Sequence, residues 1–440
     1  MMSWDEVMTN LGSNDSTNVI RTRTTLSTLG KILELMDSPE KSVPFIHVAG
    51  SNGKGATARM MQSILTCAGY RTGLFISPHL KYMNERFSID GSVISDEEMN
   101  NAAFAVRSAV TQYNAIHIAQ KENPIQFALL TMMAFYYFAR QHCDIAVIEV
   151  GIGGRLDSTN VIPVPELAMI MNLSLEHTAL LGNTIAQIAN EKGGIIKDHG
   201  HVVLYHQSQE AESVIQNLCK MHHAQLMITD PSLLKQDIHK ENQEEFSYRT
   251  HTGLTLNLPG QYQKQNMLAV LDGVDSLNQR GWTITEEAIR KGLAQVTWPG
   301  RYEMVSSDPI VIVDGAHNPG AVDALIQTIQ GPSSPIANKK IIFMVGAMKD
   351  KDTDSMLKRL SPVAYSFIMT TAPGDRAAPA EVLCKTAKQY FNGPCYSASS
   401  IKEALDLALS LADSDTAIVC CGSLYQVSEI RDYFHYSNLI

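Results

Sequence analysis

No stretch of the chain is apolar for long enough to cross a membrane, since such a helix needs about 20 consecutive apolar residues. The opening residues, M-M-S-W-D-E-V, lack the basic segment and apolar core of a secretory leader, and none is expected. Basic charge is in deficit: 35 Lys and Arg against 45 Asp and Glu leave a net charge of −10. A nucleic-acid surface needs a basic balance or a basic stripe, and neither is visible. Anionic ligands must therefore be received by local lysines and arginines against the overall field. Cysteine is sparse and unpatterned, with 7 residues, an odd number, and no C-x-x-C. That points to a reducing compartment, the cytoplasm, and away from a zinc site. There is no internal repeat and no low-complexity segment. What remains, at 45% hydrophobic and 18% charged over 440 residues, is a globular chain long enough for two or three domains.

Against these absences stands one richly punctuated stretch, Phe45 to Pro78. It begins with a short apolar run, F-I-H-V-A, that reads as a buried strand. Glycines follow at Gly50, Gly53 and Gly55, with Lys54 between the last two. Met60, Met61, Ile64, Leu65 and Ala68 then recur on one helical face, and Gly69 stands where a helix stops. Strand, glycine loop, lysine and helix is the arrangement that holds nucleotide phosphates. Glycines let backbone N–H groups approach, the helix N-terminus adds partial positive charge, and the lysine adds a full one. The match to G-x-x-x-x-G-K-[ST] is imperfect: Val48 stands for the first glycine, and Gly55 follows the lysine where a hydroxyl is usual.

The flanking pattern is alternately strand and helix. Helices are expected over Asp5–Leu11, over a face of Leu26, Leu29, Ile32, Leu33 and Met36, from about Met99 to Ala119 behind an N-cap at Ser95, and from Gln126 to Arg140. Asp144 to Val150 reads as a buried parallel strand carrying one acid, Glu149, at its carboxyl end, where open α/β sheets bind ligands. Leu167 to Asn172 is another such strand. Thr184 and Gln187 form a capping box for a helix reaching Lys192. Residues 229 to 258 are polar and mixed, a hairpin or loop. Trp298-Pro299-Gly300-Arg301 marks a domain boundary, giving a nucleotide-binding domain over 1–297 and a doubly wound, Rossmann-like domain over 298–440 with strands at Ile310, Lys340, Tyr365 and Thr416. The fold class is α/β, two mostly parallel sheets.

Together, in order, the segments A-G-S-N-G-K-G, E-V-G-I-G-G-R-L-D-S-T-N, N-E-K-G-G-I-I-K, W-P-G-R and D-G-A-H-N-P closely resemble the dihydrofolate synthase / folylpolyglutamate synthase family, within the Mur-ligase-like ATP-dependent amide ligases. The resemblance covers nearly the whole chain and implies a reaction. ATP phosphorylates a carboxylate of dihydropteroate or of a folate, and the amino group of L-glutamate attacks the acyl phosphate. A carboxylate is a poor electrophile; the mixed anhydride supplies a leaving group, and Mg²⁺, lysine and arginine neutralise the transferring phosphoryl group.

By matching positions the resemblance implies that Gly50, Ser51, Asn52, Gly53, Lys54, Gly55, Ala56 and Thr57 cradle ATP, with Lys54 on the β/γ-phosphates. Ser77 of S-P-H, Glu149 and His177 would hold magnesium, joined by Lys192 as a carbamate. Asn266 and Arg301 resemble nucleotide contacts between the domains. Asp314 and His317 resemble C-terminal-domain residues of the active site, the first on the nucleotide and the second on substrate, while Arg86 and Ser423 resemble substrate contacts. A monomer is expected. The sequence departs from the family pattern at Ser51 for threonine, Ala56 for a hydroxyl, Glu176 for aspartate before His177, Tyr262 for histidine, and Ala128 for a glutamate. The Ala128 change falls on the acceptor side and keeps open a paralogue acting on another carboxylate. A muramyl-peptide ligase would need a further N-terminal domain, and only about 45 residues precede the glycine loop. A GTPase is disfavoured by the absence of N-K-x-D.

Overall fold

The computed structural model describes residues 24–118, 121–238 and 244–437, together with 6, 7 and 9. The Asp5–Leu11 helix lies mostly outside the described residues. The chain divides into two compact units. One comprises the chain up to Asn257 with Gln265–Val296, the other Leu258–Lys264 with Thr297 onward.

The larger unit is built on eight strands: β1 (Phe45–Ala49), β2 (Thr72–Phe75), β3 (Phe87–Ile89), β4 (Ser92–Val93), β5 (Ile145–Glu149), β6 (Leu167–Ile170), β7 (His201–Leu204) and β8 (Gln225–Ile228). Their order is β4-β3-β2-β5-β1-β6-β7-β8. All pairings are parallel except those of β3, which runs antiparallel to β2 and β4 around a turn at Asp90-Gly91. β1, β2 and β5 are buried at every position, as strands covered on both faces must be. Alternation along them sorts the core. Phe45, Phe75, Ala146 and Ile148 face the helices Leu26–Glu34, Asp96–Ile116 and Gln126–Arg140. Ala49, Ala168, Ile170, Val202 and Leu204 face Ile185–Gly193 and Gln209–Met221. Phe135 and Phe138, both fully buried in the first cluster, each contribute about 1.5–3 kcal/mol by leaving water.

Helix boundaries follow the local signals. Ser95 accepts from the Glu98 amide and Glu98 returns the bond, so the second long helix opens at Asp96, three residues before its first buried position. The Thr184/Gln187 box opens Ile185–Gly193 in the same way. Gly69, at φ +93°, closes the Lys54–Cys67 helix. The polar stretch after 229 forms a three-stranded antiparallel sheet of β9 (Lys235–Ile238), β10 (Glu244–Tyr248) and β11 (His251–Leu254), more than a hairpin.

The smaller unit carries β12 (Glu303–Ser307), β13 (Ile310–Val313), β14 (Lys340–Val345), β15 (Ala364–Thr370), β16 (Cys395–Ala398) and β17 (Thr416–Cys421) in the order β12-β13-β17-β14-β15-β16. Only β12 is antiparallel. The edge strands β12 and β16 have no expectation in the sequence reading. E-M-V-S-S and C-Y-S-A lack the apolar run of a central strand, because an edge strand is half in solvent. No helix among the described residues is long and apolar enough to cross a membrane.

Candidate active site

The glycine loop leaves β1 at the middle of the larger sheet, between β5 and β6. Its first amides are fixed by the neighbouring strand's loop. Ser51 N and Asn52 N both donate to the carbonyl of Asn172, at 2.8 and 3.2 Å. The Ser51 hydroxyl donates to Ser174 O at 3.0 Å and accepts from Ser174 N at 3.1 Å, so serine performs here the bracing that a threonine hydroxyl could perform. Gly53 is the N-cap of the Lys54–Cys67 helix, at φ +85°, and no side chain caps it. The opening amides of that helix are thus left for an anion. A Cβ on Gly53 would fall 2.5 Å from Asn266 Oδ1, which places the Asn266 amide directly against the loop.

Two lysines converge on one carbonyl. Lys54 Nζ donates to Gly50 O at 3.0 Å and Lys192 Nζ to the same oxygen at 2.8 Å. Lys192 is 2% exposed and pairs with Glu176 at 2.7 Å. Burial pushes the Lys192 amine down to about 8, Glu176 pulling the other way and Lys54 adding to the depression. Burial alone would raise Glu176, but the charges of Lys192 and Lys54 hold it below its ordinary value. The pair is therefore ionised at neutral pH, and the cluster of two cations and one carboxylate keeps a net positive charge. The extra methylene of Glu176 relative to aspartate lengthens its reach toward Lys192.

Glu149, 5% exposed at the end of β5, accepts from Ser77 N at 2.9 Å, so two of the expected magnesium ligands stand together. His177 stands beside Glu176 at φ +45°, ahead of the short helix Thr178–Leu181. Among the described residues no three His, Cys, Asp or Glu side chains form a metal-holding group. Ala56 is buried, and Thr57 is fully buried with a hydroxyl that finds no partner among the described residues.

The loop after β5 is held from inside. Asp157 accepts from Ile152 N at 3.1 Å and from Thr159 N and Oγ1 at 3.0 and 2.6 Å. With its proton on Asp157, Thr159 accepts from His47 Nε2 at 2.8 Å. Burial drops His47 to about 3, so it is neutral and protonated on Nε2. Arg155 N donates to Glu191 O, and its guanidinium meets the Glu191 carboxylate at 2.8 Å, tying this loop to the helix that carries Lys192. Across β2, Glu85 accepts from the amides of Leu80, Lys81 and Tyr82. Arg86 Nε donates to His79 Nδ1 at 2.9 Å, and burial together with that guanidinium pushes His79 down to about 4.

In the smaller unit Asp314, at the end of β13, is buried. It accepts from Tyr302 N at 2.8 Å, Ala316 N at 2.7 Å and Tyr262 Oη at 3.0 Å. Burial raises its pKa, and Arg301 and these donors work against that rise. The cap of the next helix is Asn318, so Asp314 is free of that duty. Arg301 donates to Gly300 O, His317 shares a bond with Gly315 O at 2.8 Å, and Ser423 is buried with its Oγ accepting from Tyr425 N. The sequence alone assigns no role to Asp157, Thr159, His47, His79 or Glu85. Asp157, Thr159, His47 and His79 lie inside segments quoted above, and the D-S-T spacing is the available signal for an Asp-centred turn.

Residues 48–272 match the Mur ligase middle domain and residues 300–424 the Mur ligase glutamate ligase domain. The Bacillus subtilis dihydrofolate synthase/folylpolyglutamate synthase is 34% identical over 417 residues, 92% of this chain and 94% of that protein. A Mycobacterium tuberculosis folylpolyglutamate synthase, solved with ADP and AMPPCP, superposes with a TM-score of 0.86 at 33% identity, covering 94% of this chain and 96% of the other. Escherichia coli FolC in complex with DHPP and ADP superposes with a TM-score of 0.83 at 26% identity, covering 98% of each. The family read from the ordered motifs is thereby borne out, and the chain belongs to the dihydrofolate synthase/folylpolyglutamate synthase family, built from Mur ligase middle and glutamate ligase domains.

Proposed function

We propose that this protein is an ATP-dependent ligase joining L-glutamate to a carboxylate of dihydropteroate, of a tetrahydrofolate, or of both. The observation that carries the reading is the convergence of Lys54 and Lys192 on the Gly50 carbonyl, at the uncapped start of the Lys54–Cys67 helix. A polyphosphate would draw Lys54 off that carbonyl and take the helix amides as well. Lys54 then neutralises charge on the transferring phosphoryl group, and Asn266 fixes the loop beneath it. Asp314, Arg301 and His317 supply the smaller unit's polar groups for nucleotide and substrate; Arg86 and Ser423 serve the acceptor.

Magnesium fits the donors present. Ser77 Oγ and the Glu149 carboxylate are hard oxygen ligands held together by the Ser77 N–H bond to Glu149, and His177 completes the proposed set. When bound, the ion would offset the charge of the phosphate oxygens. Lys192 meets one requirement of a carbamate, since burial enlarges its share of neutral amine. Its contacts with Glu176 and Gly50 O must then be exchanged. A ¹³C-bicarbonate-derived carbamate signal, absent in Lys192→Met, would establish the modification; no signal in the parent protein would remove it.

The deciding assay gives the purified protein dihydropteroate or tetrahydrofolate, Mg-ATP and glutamate side by side. ADP release with a glutamylated product is expected, and Lys54→Ala should lose roughly 100- to 1000-fold, the scale of one lost charge-stabilising donor. Unchanged ADP release in Lys54→Ala would sink the assignment. A paralogue acting on another carboxylate rests on Ala128. That residue is 1% exposed within the apolar cluster of Phe75 and Phe135, and offers no surface to a ligand.

A further inference from the structure

Cys384 and Cys395 belong to none of the motifs quoted from the sequence. Cys384 lies in the helix Ala380–Ala387 and Cys395 opens β16, the edge strand of the smaller unit's sheet. The two Sγ atoms are 2.7 Å apart, although neither cysteine is in a disulfide. Each sulfur also lies near the other residue's carbonyl, Cys384 Sγ at 3.5 Å from Cys395 O and Cys395 Sγ at 3.9 Å from Cys384 O. A covalent S–S bond is about 2.05 Å long, so closure needs an approach of only about 0.7 Å. Cys384 is buried and Cys395 is partly exposed, which gives a reagent access to one sulfur and keeps the second in waiting. Among the described residues no third ligand makes this pair a metal site.

We propose that Cys384 and Cys395 form a reversible dithiol/disulfide site oxidised by a small-molecule disulfide of the glutathione class. The Cys395 thiol loses its proton and its sulfur attacks one sulfur of the oxidant, forming a mixed disulfide and releasing one small thiol. The Cys384 sulfur, deprotonated in turn, attacks Cys395 Sγ and displaces the second small thiol. Both cysteines are oxidised, the oxidant is reduced to two thiols, and no metal or further reagent is required. The product bond staples the helix to a strand that has a ladder partner, β15, on one side only. Oxidation would therefore hold the sheet edge and close the chain between the two cysteines, which are 11 positions apart, into a loop.

The test uses the full chain in graded mixtures of reduced and oxidised glutathione. After quenching and denaturation, free thiols are alkylated and counted by intact mass, then located by peptide mapping. Of the 7 cysteines, two should become protected as the mixture turns oxidising, both mapping to Cys384 and Cys395, with return on adding dithiothreitol. Native-state proteolysis between the two positions should slow in the oxidised form. Protection should vanish in Cys384→Ser and in Cys395→Ser, and persist in Cys67→Ser. Cys395→Ser, at the partly exposed position, serves if Cys384→Ser fails to fold. Labelling of all seven at every ratio, a mixed disulfide that never resolves, or pairing of other cysteines would each overturn the proposal.

Discussion

Gly53→Ala separates two reasons why a glycine stands at the start of the phosphate loop. At φ +85° an alanine carries the left-handed penalty of about 1–2 kcal/mol. Gly69, at φ +93° with nothing within 4 Å of an added Cβ, carries the same penalty and no other, so Gly69→Ala is an internal control from the same helix. At Gly53 the new methyl would lie 2.5 Å from Asn266 Oδ1 and 3.1 Å from its Cγ. Asn266 is buried and must turn away, at a further cost of about 0.5–1.5 kcal/mol for an off-rotamer side chain. Urea unfolding should therefore show Gly69→Ala down by about 1–2 kcal/mol and Gly53→Ala by about 1.5–3.5 kcal/mol. Calorimetric titration with ADP should divide them more sharply. Gly69→Ala should bind like the parent, whereas Gly53→Ala should lose at least about tenfold, or 1.4 kcal/mol, because the amides beyond residue 53 are re-aimed. Parent-like ADP affinity in Gly53→Ala would refute the idea that these amides form the phosphate cradle.

Tyr262→Phe removes one donor from buried Asp314 and should cost about 1.5–3 kcal/mol in urea unfolding, the range for a bond to a charged group; no loss would mean that Tyr302 N and Ala316 N satisfy the carboxylate alone. His251 is buried between Asp275 and Glu286; burial pulls its pKa down, but hydrogen bonds and charge from the two acids raise it above 6.5 overall. A raised folded value means stability that is complete below pH 6.5 and is lost as the pH climbs through that folded value. The parent should therefore lose stability relative to His251→Gln as the pH rises from 6.5, read as urea midpoints, and parallel curves would show that the histidine does not gain a proton on folding.

Much of this fold is legible in the sequence. The buried strands at Phe45, Ile145 and Ile310 announce themselves because a strand covered on both faces must be apolar throughout. Ser95 and Thr184 fix helix starts by chemistry confined to four residues. Other features depend on partners distant in sequence. Nothing local tells that Glu176 will meet Lys192, or that His47 will hold Thr159 across 112 positions. Ala128 read as a missing carboxylate, yet its burial follows from how Gln126–Arg140 turns toward Phe75, a matter of packing. The edge strands were silent because half their side chains face water.

The four loops around the candidate site leave adjacent strands, β2, β5, β1 and β6, and are fastened in a chain: Ser77 to Glu149, Arg155 to the helix of Lys192, Lys192 to Gly50, Ser51 and Asn52 to Asn172, and Ser51 to Ser174. Such loops move as one piece, so substitutions in different loops will not add. Ser51→Ala and a change that disturbs the Ser174 backbone break the same brace, and the second should cost less once the first is made. Sequence drift at this end of the sheet is then a matter of compensated pairs, which gives Ser51 and Glu176, two departures from the family pattern, a reason to be read with their partners Ser174 and Lys192 rather than alone.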